Sequence, residues 1–353
     1  MEIIMWIIGA LLIYLAINKK MEPTLLLPLG FGTILVNLPG EAINKIMNYL
    51  FNIGIADYEL LPLLLFIGIG AMIDFEPLFQ NPKLMIFGFM AQFGILATMG
   101  LALLIGFPIT EAASIGVIGA ADGPTAIFVA QILNSKYLAA IMVAAYSYMA
   151  LIPIIQPPII KLLTTKKERQ LQMTYVAKKI SKRTKIIFPI ITTIVIGLIA
   201  PESSILIGFL MFGNLIKECG VLDSLKITAQ ETLTNLVSIF LGLIVAFQMK
   251  ADTFLKLDTL IIIALGLIAF IVDTACGVLM AKLINLFSKN KINPMIGACG
   301  ISAFPISAKT IHKLGMEENR QNCLLTYALS ANVSGQIFSV LISGIIIAIC
   351  SQI

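Results

Sequence analysis

Long apolar stretches recur along the whole chain. Each of the clearest has a length near the 20 residues that a helix needs to cross the hydrocarbon core of a bilayer. None shows the two-residue alternation of barrel strands. These stretches are 84–105, 137–160, 233–249, 260–284 and 323–349, and shorter or interrupted ones are 1–17, 23–38, 60–73, 112–133, 186–200, 204–216 and 294–311. The pattern predicts an all-α polytopic membrane protein with about ten to eleven transmembrane segments.

The composition agrees with a chain surrounded by lipid. Only 12% of the residues are charged and 59% are hydrophobic, whereas about a quarter of an average soluble domain is charged. So few charges exclude a cytosolic enzyme, a nucleic-acid-binding protein and a disordered scaffold. We therefore place the chain in the cell (inner or plasma) membrane as a multi-pass protein, with membrane lipid around it and no nucleic acid as partner.

One strongly basic stretch interrupts the apolar pattern. Residues 161–185 hold nine of the 24 Lys and Arg residues, against a single acid, Glu168. Such clusters mark cytoplasmic loops. We expect an N-terminal membrane half (1–163), a basic cytoplasmic linker (164–185) and a C-terminal membrane half (186–353).

Each half contains one apolar segment that Gly and Pro interrupt. The first reads IGVIGAADGPTAIFVA (115–130) and the second IGACGISAFPISAKTI (296–311). Matched broken helices are typical of transporters built from inverted repeats, with the binding site near the middle of the membrane. We therefore expect two inverted-topology halves, each with a broken helix at mid-membrane.

Asp122 is the most informative single residue. It is the one charge between Glu111 and Lys136, and a charge at the bilayer centre costs at least about 2.5–3.5 kcal/mol. Such residues mark ion or proton pathways, although an Asp that caps a short helix is the alternative. Asn293, Ser302 and Asn332 could add the neutral oxygen ligands that suit Na⁺ beside one carboxylate.

Three further residues each allow more than one interpretation. Tyr146 and Tyr148 lie in an apolar helix, where their hydroxyls need partners, so each has either a packing or a functional role. Asp273 is either a second intramembrane carboxylate, a partner of Lys282, or a residue near a surface.

Several blocks of the sequence resemble one family over nearly the whole chain. They are EPTLLLPLGFGTILVNLP, GIGAMIDFEPL, EAASIGVIGAADGPTAIFVA, VAAYSYMALIPIIQPPIIKLLTTKKER and KINPMIGACGISAFPISAK. The chain is similar to the beta subunit of the sodium-pumping biotin-dependent decarboxylases, a group that includes oxaloacetate, glutaconyl-CoA and methylmalonyl-CoA decarboxylases.

The resemblance implies an activity and a set of partners. It implies that the subunit receives carboxybiotin from a biotin carrier protein, decarboxylates it and couples the reaction to Na⁺ export, with a proton consumed. Na⁺ and biotin are then the cofactors. The implied partners are the carrier, a carboxyltransferase subunit and a small membrane anchor subunit, with this chain as a homotrimer.

The resemblance also implies roles for individual residues. The implied sodium-binding residues are Asp122, Asn293, Gly297 and Asn332, with Na⁺ held at Asp122, Asn293 and Asn332; the implied catalytic residues are Asp122, Tyr148, Ser302 and Lys309. The family usually has Arg where this chain has Lys309. A lysine offers a point charge, whereas arginine offers a planar fork, so the handling of carboxybiotin there is expected to differ.

Other functions remain open on the residues alone. A secondary Na⁺/H⁺ exchanger or a Na⁺-coupled carboxylate transporter would show the same broken helices. An intramembrane aspartyl protease would need a second Asp in a partner motif, and none is recognisable. A non-catalytic assembly subunit is the fourth alternative.

Overall fold

The computed structural model describes residues 1–20, 23–56, 59–173 and 180–352. This part of the chain is helical and contains no strand, which confirms the all-α prediction. Its α-helices are α1 (Glu2–Asn18), α2 (Pro23–Val36), α3 (Glu41–Phe51), α4 (Leu60–Met72), α5 (Glu76–Gln80), α6 (Met85–Ala91), α7 (Phe93–Ile105), α8 (Ile109–Gly116), α9 (Gly123–Ile132), α10 (Leu138–Leu163), α11 (Lys166–Arg169), α12 (Lys182–Ile199), α13 (Ser204–Cys219), α14 (Asp223–Ile227), α15 (Thr234–Phe247), α16 (Ala251–Phe254), α17 (Leu257–Phe287), α18 (Ile306–Glu318) and α19 (Leu325–Cys350). Short 3₁₀ segments are Pro82–Leu84, Val117–Ala120, Pro201–Ser203 and Pro294–Gly300, and π-helical turns are Asn52–Ala56 and Thr228–Leu233.

Five helical stretches in the described residues are long and apolar enough to cross a membrane. They are Pro82–Ile105, Leu138–Leu163, Asp223–Phe247, Leu257–Phe287 and Leu325–Cys350. A sixth results if Lys45–Ile55 and Leu60–Met72, which are bent by 57°, form one span. All five correspond to the clearest apolar stretches of the sequence, and the chain is a multi-pass membrane protein.

The stretch ending at Phe247 begins ten residues earlier than its hydropathy indicated. Its first turns contain Asp223, Gln230 and Glu231, and these polar residues lower the hydropathy, so the sequence pattern did not include them in the span.

Two long helices, α10 and α17, define two ends of the molecule. The helices α10 and α17 pack side by side. At one end the Tyr137 hydroxyl donates to Asp258 Oδ2 at 3.0 Å, and at the other Lys282 Nζ donates to the Leu163 carbonyl at 3.0 Å. The 26 residues of α10 span about 39 Å at 1.5 Å per residue. Because the basic linker follows Leu163, this second end is predicted to face the cytoplasm, and we call it the cytoplasmic end.

The first interrupted segment begins and ends beside the same end of α10, the end near Tyr137. Residues 109–132 run as α8, the 3₁₀ segment Val117–Ala120 and α9. Glu111, at the start, accepts hydrogen bonds from the Ser135 hydroxyl and, at 3.2 Å, from the Lys136 amide. The segment is therefore a hairpin whose tip, at Ala121 with φ 54°, lies inside the protein.

The second interrupted segment is a hairpin from the cytoplasmic end. Asn293, at its start, donates from Nδ2 to the Arg169 carbonyl at 2.9 Å. Glu318, at its end, accepts from Arg169 Nε at 2.7 Å. One linker residue therefore holds both arms of this hairpin.

The two tips meet inside the protein. The Ser302 amide donates to the Ala120 carbonyl at 3.2 Å, and the Ser302 hydroxyl donates to the same oxygen. A broken helix in each half is thus observed, while the inverted repeat itself stays a prediction. Among the described helices, five are long and apolar enough to cross the membrane, or six with the bent pair, which is fewer than the ten to eleven expected. The segments 112–133 and 294–311 turn back instead of crossing.

A second group of helices packs beside the hairpins. Here α2 contacts α1 and α15, and α4 contacts α13 and α15. Since α4 and α13 come from different sides of the linker, the two expected halves do not pack separately. The ends of α10 at Leu163 and of α12 at Lys182 lie near the expected linker limits, and residues 174–179 of that linker lie outside the described residues. The division into three parts remains a prediction.

Candidate functional site

A cavity of about 260 Å³ lies between the crossed hairpin tips and the helices α2, α4 and α15. It brings together Asp122, Ser302 and Lys309, three of the residues singled out from the sequence. Its lining comprises Thr24, Leu25, Leu65, Ile69, Met72, Asp122, Pro124, Tyr146, Met149, Gln230, Thr234, Asn235, Ser238, Leu241, Ser302, Phe304, Pro305, Ile306, Lys309 and Gln336. Both broken segments and the second helix group therefore contribute to one pocket, which polar and apolar side chains line together.

Asp122 occupies the position just before α9, where the left-handed Ala121 ends the 3₁₀ segment and Pro124 begins the helix. Its side chain is 3% exposed. Two neutral donors contact Oδ2, the Thr125 hydroxyl at 2.5 Å and Gln336 Nε2 at 2.8 Å. The ion pairs of the described residues do not include Asp122. Within these residues the carboxylate has hydrogen bonds but no neutralising cation, and a bound cation would supply that charge.

Asn332 lies behind the second hairpin tip, on α19. Its Nδ2 donates to the Ile301 carbonyl at 2.6 Å. Its Oδ1 is buried and has no hydrogen-bond partner among the described residues. A buried amide oxygen without a partner costs about 1–3 kcal/mol, and binding a cation would remove that cost. The donor set near the tips, a carboxylate with amide and hydroxyl oxygens, fits the preference of Na⁺ for oxygen ligands.

Two of the expected sodium-binding residues lie elsewhere. Asn293 sits at the cytoplasmic start of its hairpin, with its side chain bonded to Arg169 and Leu171 carbonyls and to the Met295 amide. Gly297 packs against α17, where a Cβ on Gly297 would lie 2.0 Å from the Gly277 carbonyl oxygen. Neither lines the cavity, nor does Asn332, and the sodium-binding roles of all three residues stay predictions.

The two tyrosines of α10 point to different neighbours. The Tyr148 hydroxyl donates to the Ile263 carbonyl of α17, and Tyr148 does not line the cavity. Tyr146 does line it, with its ring so close to Gly123 that a Cβ there would lie 2.6 Å from the ring carbons. The Tyr146 hydroxyl is buried without a hydrogen-bond partner in the described chain. The structure thus places Tyr146, and not Tyr148, beside Asp122.

Sequence reasoning also missed Thr125 and Gln336 as partners of Asp122. For Gln336 a signal existed, because residues four apart share one face of a helix and Gln336 follows Asn332 by four positions. For Thr125 the signal was weaker, since a threonine three residues after a helix-capping Asp is common in any protein.

The cytoplasmic mouth of the second hairpin is held by charged residues of the linker. Glu168 forms a capping box with Thr165 and lies 3.3 Å from Lys282 Nζ. Partial burial alone would raise the pKa of Glu168, but hydrogen bonds from Thr165 and the charge of Lys282 together lower this pKa below its ordinary value. These contacts anchor the short helix α11 on the end of α17.

The chain matches known proteins over almost its full length. Residues 1–350 match the model of a protein family described as the Na⁺-transporting oxaloacetate decarboxylase beta subunit. A methylmalonyl-CoA decarboxylase subunit beta of Veillonella parvula is 45% identical, over 99% of this chain and 93% of that protein. A probable oxaloacetate decarboxylase beta chain of Vibrio cholerae is 44% identical, over 98% and 94%. A methylmalonyl-CoA decarboxylase subunit beta of Propionigenium modestum is 43% identical, over 99% and 94%. This chain therefore belongs to the family of beta subunits of Na⁺-transporting decarboxylases.

Proposed function

We propose that this chain is the membrane subunit that decarboxylates carboxybiotin on a partner carrier protein and couples the reaction to Na⁺ export, with one proton consumed. The observation that carries the proposal is Asp122, a buried carboxylate with only neutral donors among its described contacts, placed where two broken hairpins cross. An intramembrane carboxylate next to unwound backbone is the arrangement that transporters use for Na⁺.

The Na⁺ ligands in this proposal come from both hairpins and from α19. Asp122 supplies the charge. The unpartnered Oδ1 of Asn332 and the Ser302 hydroxyl oxygen supply neutral ligands in the state that binds Na⁺. Asn293 acts at the cytoplasmic mouth, where its contacts to the linker set the position of the hairpin.

Transport requires that the Na⁺ site face each side of the membrane in turn. The cavity lies on the boundary between the hairpin tips and the helices α2, α4 and α15. A movement of one group against the other would open the site alternately to the two sides. A ligand drives such a movement only through different affinities for the two states, so the carboxylated carrier must bind one state more tightly.

Residues of this chain could bind a negatively charged substrate and transfer a proton. When bound, carboxybiotin loses CO₂ by breakage of its N–CO₂⁻ bond, and the ureido nitrogen takes up one proton. Lys309 lines the same cavity as Asp122 and would hold the carboxylate as a point charge. Ser302 would orient or relay the proton, which displaces Na⁺ from Asp122 and is then consumed. Tyr148, the other residue expected to do so, donates to the Ile263 carbonyl outside the cavity, and its role stays a prediction.

The assembly follows from the same proposal. A biotin carrier protein and a carboxyltransferase subunit supply the carboxyl group, and a small membrane anchor subunit holds them to this chain, which acts as a homotrimer. Since the acid that donates the carboxyl group is chosen by the carboxyltransferase, the residues of this chain do not determine which acid it is.

Replacement of Asp122 tests the proposal. In the complex reconstituted in proteoliposomes, Asp122→Asn should abolish both Na⁺-dependent decarboxylation and uptake of radiolabelled Na⁺. Asp252→Asn, at an exposed Asp outside the cavity, is the matched control and should retain both. Normal coupled uptake by Asp122→Asn would refute the assignment, and Na⁺ transport by the purified chain without a biotinylated partner would favour the exchanger instead.

A further inference from the structure

A second cavity, of about 520 Å³, opens beside the cytoplasmic end of α17. Three lysines line it, which are Lys167 of α11, Lys282 of α17 and Lys291 of the loop that follows α17, and its one acidic residue is Glu168. Three lysines against one glutamate leave the lining with two positive charges. A concave surface with this balance concentrates anions.

The excess charge belongs to two of the lysines. Lys282 Nζ lies 3.3 Å from a carboxylate oxygen of Glu168, so it pairs with this residue and not with Asp273, the partner considered from the sequence. The ion pairs of the described residues include neither Lys167 nor Lys291. These two ammonium groups are therefore available to a ligand.

The opposite part of the lining is an apolar face of α17. Leu279, Leu283 and Leu286 line the cavity, and they are 51%, 48% and 78% exposed. Their spacing of four and three residues places them on one side of the helix. Because lipid tails are as apolar as leucine, an exposed leucine face on a membrane-spanning helix contacts acyl chains. The cavity thus lies where a basic surface meets the lipid-facing side of α17.

A phospholipid with an anionic head group matches both parts of this lining. Basic pockets on the cytoplasmic side of membrane helices bind such head groups, and the leucine face would accept an acyl chain of the same molecule. A soluble phosphate would contact the lysines and leave the leucines uncovered. An acidic partner protein would have to enter the bilayer to cover them.

The cavity adjoins the contacts that hold the second hairpin. Lys167 belongs to α11, whose last residue, Arg169, holds both arms of that hairpin through Asn293 and Glu318. Lys291 lies two residues before Asn293. A head group bound by Lys167 and Lys291 together would therefore join α11 to the start of the hairpin.

We propose that this cavity binds an anionic phospholipid of the cytoplasmic leaflet, with its phosphate at Lys167 and Lys291 and an acyl chain along the leucine face of α17. The bound lipid stabilises the folded chain at the cytoplasmic mouth of the second hairpin. The inference does not depend on the proposed Na⁺ transport, because it rests on the cavity at α17 and not on Asp122.

The test compares two lipids that differ in head-group charge. The full chain, purified in detergent, is titrated with dioleoyl phosphatidylglycerol, which is anionic, or with dioleoyl phosphatidylcholine, which is zwitterionic. A ligand that binds only the folded state raises the melting temperature as its concentration increases. The double variant Lys167→Gln/Lys291→Gln removes the two unpaired charges. Lys166→Gln/Lys289→Gln, at exposed neighbouring lysines that do not line this cavity, is the matched control.

We expect phosphatidylglycerol, and not phosphatidylcholine, to raise the melting temperature of the wild type and the control alike. The double variant at Lys167 and Lys291 should need about 30-fold more phosphatidylglycerol for the same rise, from about fivefold for each lysine. Equal titrations of this variant and the control would show only general attraction to an anionic micelle and would overturn the proposal.

Two further results would also overturn it. One is an equal rise in melting temperature with sodium phosphate, which would show a site for a simple anion. The other is a higher KM for the biotin carrier protein in the reconstituted complex of the double variant, with its phosphatidylglycerol titration unchanged, which would assign the two lysines to the carrier.

Discussion

Replacing Gly297 by Ala tests whether this glycine is a packing contact. The backbones of Gly297 and Gly277 cross so closely that a Cβ on Gly297 would lie 2.0 Å from the Gly277 carbonyl oxygen and 2.5 Å from its carbonyl carbon. Side-chain carbons do not approach backbone oxygens within about 3 Å, so the hairpin must move from α17 by about 1 Å. Overpacking of this kind costs about 1–3 kcal/mol.

The cost should appear as a lower melting temperature. For a chain of this size, about 1–3 kcal/mol corresponds to a decrease of order 1–4 °C, measured as the loss of the monodisperse gel-filtration peak after heating in detergent. Gly100→Ala is the matched control, because nothing lies within 4 Å of a Cβ at Gly100 and Ala is favoured over Gly in a helix by about 0.5–1 kcal/mol. Equal melting temperatures for Gly297→Ala and Gly100→Ala would refute the packing argument.

Three further substitutions probe the site and its cytoplasmic mouth. Ser302→Ala removes the hydroxyl and with it one of the two hydrogen bonds to Ala120, worth about 0.5–1.5 kcal/mol. The Na⁺ concentration for half-maximal decarboxylation should therefore rise up to about tenfold. An unchanged value would exclude the hydroxyl as a ligand. Gln336→Leu removes a hydrogen bond to the Asp122 carboxylate that is worth about 1.5–3 kcal/mol, so protons should compete better with Na⁺ for this carboxylate. A Na⁺ titration of the variant at neutral pH should then show weaker activation than that of the wild type. Equal titration curves would contradict this. Because the pKa of Glu168 is lowered in the folded chain, its contacts stabilise the linker above the ordinary value near 4.5 and are lost as pH falls through the lowered value. Glu168→Gln should therefore reduce, by about 1 kcal/mol or less, the loss of thermal stability as the pH falls below about 4.5, and an unaltered pH profile would count against it.

Much of the architecture was predictable from the sequence, for a physical reason. A hydrophobic span must satisfy its backbone within itself, so a long apolar run such as 260–284 can only be a membrane helix. The apolar runs do not specify whether a segment crosses the membrane or turns back within it. Residues 112–133 are apolar enough to count as a span, but the contact of Glu111 with Ser135 shows that they form a hairpin.

The site was only partly predictable. Asp122 could be predicted because a charge is costly in lipid. Ser302 could be predicted because it lies in the broken segment of the second half that matches the one around Asp122. Tyr146 and Tyr148 are two positions apart in one apolar helix, so composition could not say which faces Asp122. The contact of Asp273 with Gly94 joins residues 179 positions apart, and no local pattern contains it.

The most direct test of the account is the Na⁺ uptake of an Asp122→Asn complex in proteoliposomes, followed together with CO₂ release. The account predicts that radiolabelled Na⁺ uptake falls to the level of vesicles without substrate, while Asp252→Asn transports as the wild type does. Uptake by Asp122→Asn at the wild-type ratio of Na⁺ to CO₂ would contradict it.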